Sequence, residues 1–550
     1  MQPERRGIPR ACSRTVSDAL QAGRVLALPT AVAVGVAAAA LRDTPLWAQP
    51  DSVAYLDLAA ALSRGDFTDE LFLMRPPGYP LLIAATAQIA GGSAGVALLV
   101  IQRMMVVAIA ALTTLTAFAL TRQRSVAALA GVLTALTWPL TAYAAVILTE
   151  IPYTFAAMTT LCLLAHHLHG GSRSALACAS VAAGAAGLIR PLGMPLLALC
   201  AVTAGVRWFK ARSCADENTR PRGCGARSLA SRLFVAVAPG AVALAAWALH
   251  VRAVFPDGAS GTWMRAQLYV RAVQVERLKA PSSPAFLELQ RCVDEVNVGL
   301  PDGERRFRVE YPWDAVTCYR RRHGVGLTEG VRQLGDAAEP IFRAHLPQLL
   351  LTTPRHMART LLIPDPVYRY RPDAPLVADP DPSLNVLLST ETYAASVLER
   401  VRDPVFAGRF VRAAEGGLAG SAWTAMARGY YAFVERPTRL PIPVADSFYE
   451  AWMLGAVAGG VVFLQRGRRA GALLLMTFAL VHLFPAALTQ GTIPRYAVPV
   501  QPAIQITAAA GVLTIVAFAR RLCMSIRLRP RRFEQAERSA SAAGGSAVVG

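Results

Sequence analysis

From Val25 onward the chain alternates between apolar runs and short segments crowded with arginine. The runs, 25–41, 96–120, 126–147, 152–168, 175–189, 192–206, 233–252, 447–464, 470–488 and 497–519, approach or reach the length needed to cross about 30 Å of hydrocarbon. The pattern predicts an all-α polytopic membrane protein of about ten transmembrane helices. The stretch from Pro80 to Ala90 is apolar but too short to span, so a partial or re-entrant segment is expected there. Between the seventh and eighth runs, residues 253–446 are polar and contain no spanning run. Within that insertion, Glu339–Leu351 and Pro354–Leu362 each combine an apolar and a basic face. Either amphipathic helices on the membrane surface or ordinary helices of a folded outer domain satisfy that pattern.

Charge orients the runs. Segments on one side of the membrane hold 25 Lys and Arg, and the short loops on the other hold 5, leaving the insertion aside. The positive-inside rule therefore puts both termini in the cytoplasm and the 253–446 insertion outside a cell (inner or plasma) membrane. A net charge of +20 at first suggests nucleic acid, but its placement between alternate spans, away from any one face, argues against that. The chain divides into an N-terminal membrane module (1–252), the extracytoplasmic domain (253–446) and a C-terminal membrane module (447–519). A basic cytoplasmic tail follows (520–550), with an Ala/Ser/Gly-rich end expected to be disordered.

Of the nine cysteines, Cys162, Cys178 and Cys200 sit inside apolar runs as small hydrophobes. Cys214 and Cys224 lie in an arginine-rich segment with no His partner at zinc spacing, so no metal site is expected there. Cys292 and Cys318 fall in the insertion, where an oxidising compartment would permit a disulfide and two unrelated thiols are the alternative. His166, His167 and His169 look like a metal cluster but lie at the inner end of a span, away from the outer acids.

The first outer loop, 42–79, carries the densest candidate chemistry. On a helix over 51–63, Asp51, Tyr55, Leu58 and Leu62 share a face, whereas Asp57 is rotated from Asp51 by about 240°. Asp51 and Asp57 are therefore not a paired-carboxylate site by themselves. Downstream, Arg75-Pro76-Pro77-Gly78 turns the chain back toward the membrane. Glu150 precedes Ile151-Pro152, Arg190-Pro191 hinges two apolar runs, and Arg495-Tyr496 precedes the last span.

The order Asp51-x-x-x-Tyr55-x-x-x-Ala59, then Arg75-Pro76-Pro77, resembles the first outer loop of lipid-carrier-dependent glycosyltransferases of the GT-C fold, in the protein mannosyltransferase and aminoarabinose transferase-like superfamily. Glu150, Arg190-Pro191, and Arg495-Tyr496 with Pro499 and Pro502 extend the resemblance over most of the membrane portion. It implies transfer of a sugar from a polyprenyl-phosphate donor to an outer-face acceptor: a protein, a glycolipid of the lipopolysaccharide type, or a polysaccharide. Asp51 is then the expected general base, and Tyr55, Asp57, Arg75, Glu150, Arg190, Arg495 and Tyr496 are the expected substrate-binding residues, with Arg103 a weaker candidate. Relatives differ in whether they bind a divalent cation near the first-loop acid, and Asp51, Asp57 and Glu150 offer oxygen ligands for one.

Plainer roles compete with these. Asp51 is a favoured residue type for a helix N-cap, Glu150 suits the first turn of a helix, and Arg190 and Arg495 have the length to snorkel to headgroups. The rival function is a transporter or flippase for a lipid-linked glycan, for which ionisable groups near the midplane are expected. A non-catalytic scaffold presenting the insertion is a third, which leaves the acid-rich first loop without a task.

The topology is testable directly. Reporter tags at residues 215 and 467 should report cytoplasmic and one near residue 300 should report outside; residues 300 and 467 on the same side would overturn the orientation.

Overall fold

The computed structural model describes residues 10–43, 46, 48–213, 226–256, 262–278, 283–298, 309, 312–362, 397–414, 448–465, 468–490 and 494–544. Every element among them is helical. The membrane portion opens with α1 (Arg10–Asp43), and the first outer loop contains α2 (Pro50–Ser63) and a 3-10 turn, Glu70–Leu73. Then come α3 (Gly78–Ala90), α4 (Ala94–Thr121), α5 (Arg124–Ala135), α6 (Trp138–Tyr143), α7 (Glu150–Gly170), α8 (Arg173–Ile189), α9 (Pro195–Ser213) and α10 (Ala226–Val254). Six helical stretches among the described residues are long and apolar enough to cross a bilayer: Gly23–Leu41, Gly78–Thr121, Pro191–Arg212, Ser228–Val254, Arg469–Gln490 and Arg495–Arg521. The chain is thus a multi-pass helical membrane protein by the length and composition of its helices. Large apolar side chains such as Phe234, Val242 and Leu249 on α10 point outward, as a lipid-facing helix requires.

The expected span over 126–147 is not one helix. α5 stops at Ala135, Pro139 sits in the first turn of the short α6, and residues 144–149 run irregularly yet buried. Backbone of this kind survives at membrane depth only if its polar groups find partners inside the protein. Gln102 Nε2 donates to the carbonyls of Ala144 and Val146 at 3.1 Å each, and Ser52 Oγ donates to that of Ile147 at 2.8 Å. Arg103 donates to the carbonyl of Thr141. Gln102 is held in turn by the hydroxyl of Tyr79, 2.9 Å away. Arg103, a weaker phosphate candidate in the sequence, is a buried strut of this scaffold.

Small residues set the helix crossings. A Cβ on Gly240 of α10 would lie 2.1 Å from the carbonyl oxygen of Ser180 on α8. Ser180 Oγ also bridges the α10 backbone, accepting from Gly240 N–H at 3.0 Å and donating to Val237 at 3.2 Å, beside Pro239. Close approach through glycine is the usual way membrane helices gain packing where lipid offers no hydrophobic drive.

The described part of the insertion, called the outer domain after the orientation that the charge pattern leads one to expect, is helical. It holds α11 (Thr262–Tyr269) with a π turn at Val270–Val275, α12 (Pro284–Val296), α13 (Pro312–His323), α14 (Leu327–Leu362) and α15 (Pro404–Ala414). The two expected amphipathic helices form one continuous helix, α14, with Pro340, Pro347 and Pro354 inside it. Leu334, Ala338 and Ile341 of its first half are buried in the outer-domain core, whereas Leu346, Leu350 and Leu351 within the expected segments are exposed. Met74 and Leu73 of the first outer loop insert into the same core, and the Glu70 carboxylate accepts from the N–H of Leu327 at 3.0 Å at the start of α14. Arg271, fully buried, pairs with Glu276 and lies 3.0 Å from His356, tying the π turn to α14.

The chain closes with α16 (Phe448–Gln465), α17 (Arg469–Gln490), a 3-10 segment (Pro494–Val500) and α18 (Gln501–Gly544). Where composition suggests a disordered end, α18 stays helical to Gly544; Ala, Glu, Arg and Gln, strong helix formers, are frequent there.

Gly240→Ala should destabilise the protein by about 1–3 kcal/mol, because the backbone of α8 cannot yield to a methyl group. Gly205→Ala on α9, with nothing within 4 Å of its Cβ, should be neutral or stabilise by up to ~1 kcal/mol. Thermal unfolding of the two purified variants in detergent separates them.

Candidate functional site

The site begins with how α2 starts. Pro50 occupies the first turn, and Gln49 is the N-cap, its backbone N–H donating to Ser52 Oγ at 2.8 Å. Capping is done by these neighbours, so Asp51 is not the cap residue. Its carboxylate instead stands between two arginines. Arg75 Nη2 donates to one oxygen at 2.7 Å and Arg495 Nη1 to the other at 3.1 Å. Arg75 also donates to the hydroxyl of Tyr55 at 3.2 Å and stacks over its ring at 5.0 Å. The one-turn spacing from Asp51 to Tyr55 on α2 makes this shared grip possible.

A second carboxylate lies beside the first pair. Glu150 opens α7 fully buried, and Arg190 Nη2 donates to its Oε1 at 2.6 Å. Arg190 takes an extended backbone at the end of α8, φ −148° and ψ 132°, as the residue before Pro191 must. Arg495 joins the groups, its Nε 4.0 Å from Glu150. Tyr496 lies beneath both Arg190 and Arg495, with guanidinium-to-ring distances of 5.0 and 5.7 Å.

Asp51, Tyr55, Arg75, Glu150, Arg190, Arg495 and Tyr496, drawn from four distant parts of the sequence, therefore meet at one place. Asp57 does not join them. It accepts from the backbone N–H of Arg402 at 2.8 Å and pairs with that side chain at 3.1 Å, while Arg402 also grips Asp69 at 2.5 Å. This second cluster clamps the first outer loop to the segment ahead of α15. Arg402 was not singled out in the sequence, because its acidic partners are more than three hundred residues away. Tyr153, one turn after Glu150 and under Arg190 at 5.9 Å, was also missed, although its spacing from Glu150 offered a signal.

Three guanidinium groups face two carboxylates, leaving an excess of positive charge. Several polar atoms are buried without a hydrogen-bond partner: Glu150 Oε2, Arg190 Nη1 and Arg495 Nε. The two guanidinium donors among them are costly to bury unless a ligand completes them. Planar guanidinium donors suit an oxyanion such as a phosphate. Burial alone would raise the Asp51 carboxyl, but the charges of Arg75 and Arg495 outweigh it and hold the group well below the usual carboxylate range. With the folded value depressed, the two ion pairs stabilise the protein above the unfolded value of about 3.9 and are lost as pH falls through the folded one.

An oxygen cage for a divalent cation does not fit this arrangement. Asp51 and Glu150 each already face guanidinium groups, and Asp57 is turned toward Arg402. Of the three histidines, His167 has its Nδ1 2.7 Å from the Ser172 carbonyl oxygen, and no metal-ligand grouping among the described residues includes any of them.

No protein-family model and no curated protein matches this chain. Among solved structures, it is similar to the oligosaccharyltransferase of Archaeoglobus fulgidus in the apo form, with 15% identity and a TM-score of 0.41, over 90% of this chain and 52% of that one. The archaeal oligosaccharyltransferase AglB from Archaeoglobus fulgidus, in complex with an inhibitory peptide and a dolichol-phosphate, gives 13% identity and a TM-score of 0.37, over 92% and 51%. ArnT from Cupriavidus metallidurans bound to undecaprenyl phosphate gives 15% identity and a TM-score of 0.32, over 88% and 77%. The chain spans about half the length of the archaeal structures.

Asp51 and a bound anion would compete for the same two arginines. Asp51→Asn should therefore tighten binding of a polyprenyl phosphate by a factor on the order of 10, about 1.4 kcal/mol. Asp57→Asn should leave that affinity unchanged. Titration of detergent-solubilised protein with the lipid phosphate measures both; weaker binding by Asp51→Asn would contradict the competition.

Proposed function

We propose that this chain is an integral membrane glycosyltransferase that moves a sugar from a polyprenyl-phosphate donor to an acceptor at the outer face of the membrane. The observation that carries the proposal is the Asp51 carboxylate held between Arg75 and Arg495, with Arg190 beside them. Such a cluster has the parts that the reaction needs: cations for a leaving phosphate and a carboxylate for a proton.

The acceptor hydroxyl oxygen attacks the anomeric carbon as the bond from that carbon to the phosphate oxygen breaks. The electron pair stays with the lipid phosphate, where Arg75 and Arg495 stabilise it, and the hydroxyl proton passes to Asp51. Held by two guanidinium groups, Asp51 is a weak base. A donor phosphate that draws Arg75 and Arg495 onto itself restores its basicity, so the base becomes competent when the donor is in place. Glu150 keeps Arg190 oriented from beneath, and Tyr55 and Tyr496 supply flat faces against which the guanidinium groups rest.

About ten spans, with both termini cytoplasmic and the site outside, complete the proposed topology. A transporter or flippase is the less supported alternative. The ionisable cluster gathers at helix ends next to the outer loop and the outer domain, which suits chemistry at an interface better than passage through the midplane. Acceptor classes consistent with such a site are a protein, a glycolipid or a polysaccharide.

Sugar transfer from a polyprenyl-phosphate donor, in membranes with matched protein levels, tests this. Asp51→Asn should lower transfer by a factor on the order of 10² to 10⁴, even though it binds the lipid phosphate at least as well. Arg75→Lys should recover only part of the activity that Arg75→Ala loses, since an ammonium cannot reproduce the fork. Asp57→Asn should be milder and act through loop stability. Full transfer by Asp51→Asn would remove the base assignment.

A further inference from the structure

The outer domain contains a group of side chains that the transfer chemistry does not use. Glu288 and Cys292 lie four residues apart on α12, so they project from one face. His323 ends α13 and meets them from the other helix. Its Nε2 is 3.1 Å from Glu288 Oε1, Cys292 Sγ is 3.8 Å from the same oxygen, and all the donor atoms lie within 4.8 Å of one another. A tetrahedral zinc ion with bonds of about 2.0–2.3 Å spaces its ligands roughly 3.3–3.7 Å apart. Two of the three separations, 3.1 and 3.8 Å, are already close to that spacing before any ion arrives.

We propose that Glu288, Cys292 and His323 form a binding site for a zinc-class transition-metal ion that ties α12 to α13 in the outer domain. The mixed sulfur, nitrogen and oxygen set selects such an ion over calcium or magnesium, which take oxygen ligands. Binding converts the Cys292 thiol to a thiolate, and its proton leaves to solvent. Cys292 is buried at the floor, while the Glu288 and His323 side chains are 21% and 36% exposed, which leaves a side open for the ion to enter and for water as a fourth ligand. Tyr319 packs against the His323 ring at 4.4 Å and holds its direction.

Two arginines oppose an ion here. Arg291 Nη1 donates to Glu288 Oε2 at 2.7 Å, and Arg322 lies 3.9 Å from Cys292 Sγ and 3.7 Å from Glu288 Oε1. Its shortest contact is with Glu295 at 2.6 Å, and that half-exposed partner keeps it neutralised when the metal takes the thiolate. The role is structural. Cys292 belongs to the core that receives Met74, the residue before Arg75, so the tie stiffens the platform behind the first outer loop. Cys318, expected as a possible disulfide partner of Cys292, is buried in the same core, and both thiols are free.

The test is a titration of full-length, chelator-stripped protein, purified without a histidine tag, using Co²⁺ as the probe and Zn²⁺ as competitor. One equivalent of Co²⁺ should produce a near-ultraviolet thiolate-to-cobalt absorption that Zn²⁺ abolishes. Cys292→Ser should lose the band. His323→Ala, at the exposed edge where folding is not at risk, should weaken binding at least tenfold. Arg322→Gln should keep the band and bind more tightly. No saturable uptake by the wild-type chain, or a band unchanged in both Cys292→Ser and His323→Ala, would overturn the site. Sugar transfer is not the readout, so these outcomes are independent of the proposed reaction.

Discussion

Where α2 and α7 begin, three guanidinium groups share two carboxylates, and much of the surrounding structure serves to hold them together. Arg75, Arg190 and Arg495 are brought close together, a repulsive arrangement that Asp51 and Glu150 only partly offset. Both carboxylates have to be placed by rigid elements for the cluster to hold. Asp51 sits in the first turn of α2, whose start is fixed by Pro50 and the Gln49–Ser52 pair, and Glu150 sits in the first turn of α7. Ser52 then donates to Ile147, so the two helix starts are linked through the irregular buried segment between them.

That segment explains several features that have no catalytic role. Breaking a membrane span at 136–149 is tolerable because Gln102, Arg103, Ser52 and Tyr79 supply the hydrogen bonds that a helix would have made for itself. The break brings Glu150 to the site as the first residue of a new helix rather than as the middle of an old one. Buried polar side chains on α4 are thus the means by which a charged cluster is set into an apolar scaffold.

The outer domain is joined to this cluster from behind. Glu70 caps α14, Leu73 and Met74 enter the outer core, and Arg402 locks Asp57 and Asp69. Each contact acts on the loop between α2 and Arg75. Asp57 lies on another face of α2 from Asp51 and ties that helix to Arg402. The same rotation of about 240° that separates the two acids gives them different partners.

Apolar length, arginine placement and proline turns act locally, so the membrane class, the apolar runs and most members of the candidate cluster were legible in the chain. Asp51, Tyr55 and Arg75 were legible from one loop, since helix spacing fixes which side chains share a face. Glu150, Arg190 and Arg495 were legible as charged residues at helix ends, but their meeting was not, because contacts between residues hundreds of positions apart leave no periodic signal. The fold, through long-range contacts, breaks the span over 126–147, joins the two amphipathic segments into one helix and pairs Asp57 with Arg402. It also decided that Asp51 is held by two arginines at once, which depresses its basicity through the field of charges that only folding brings together.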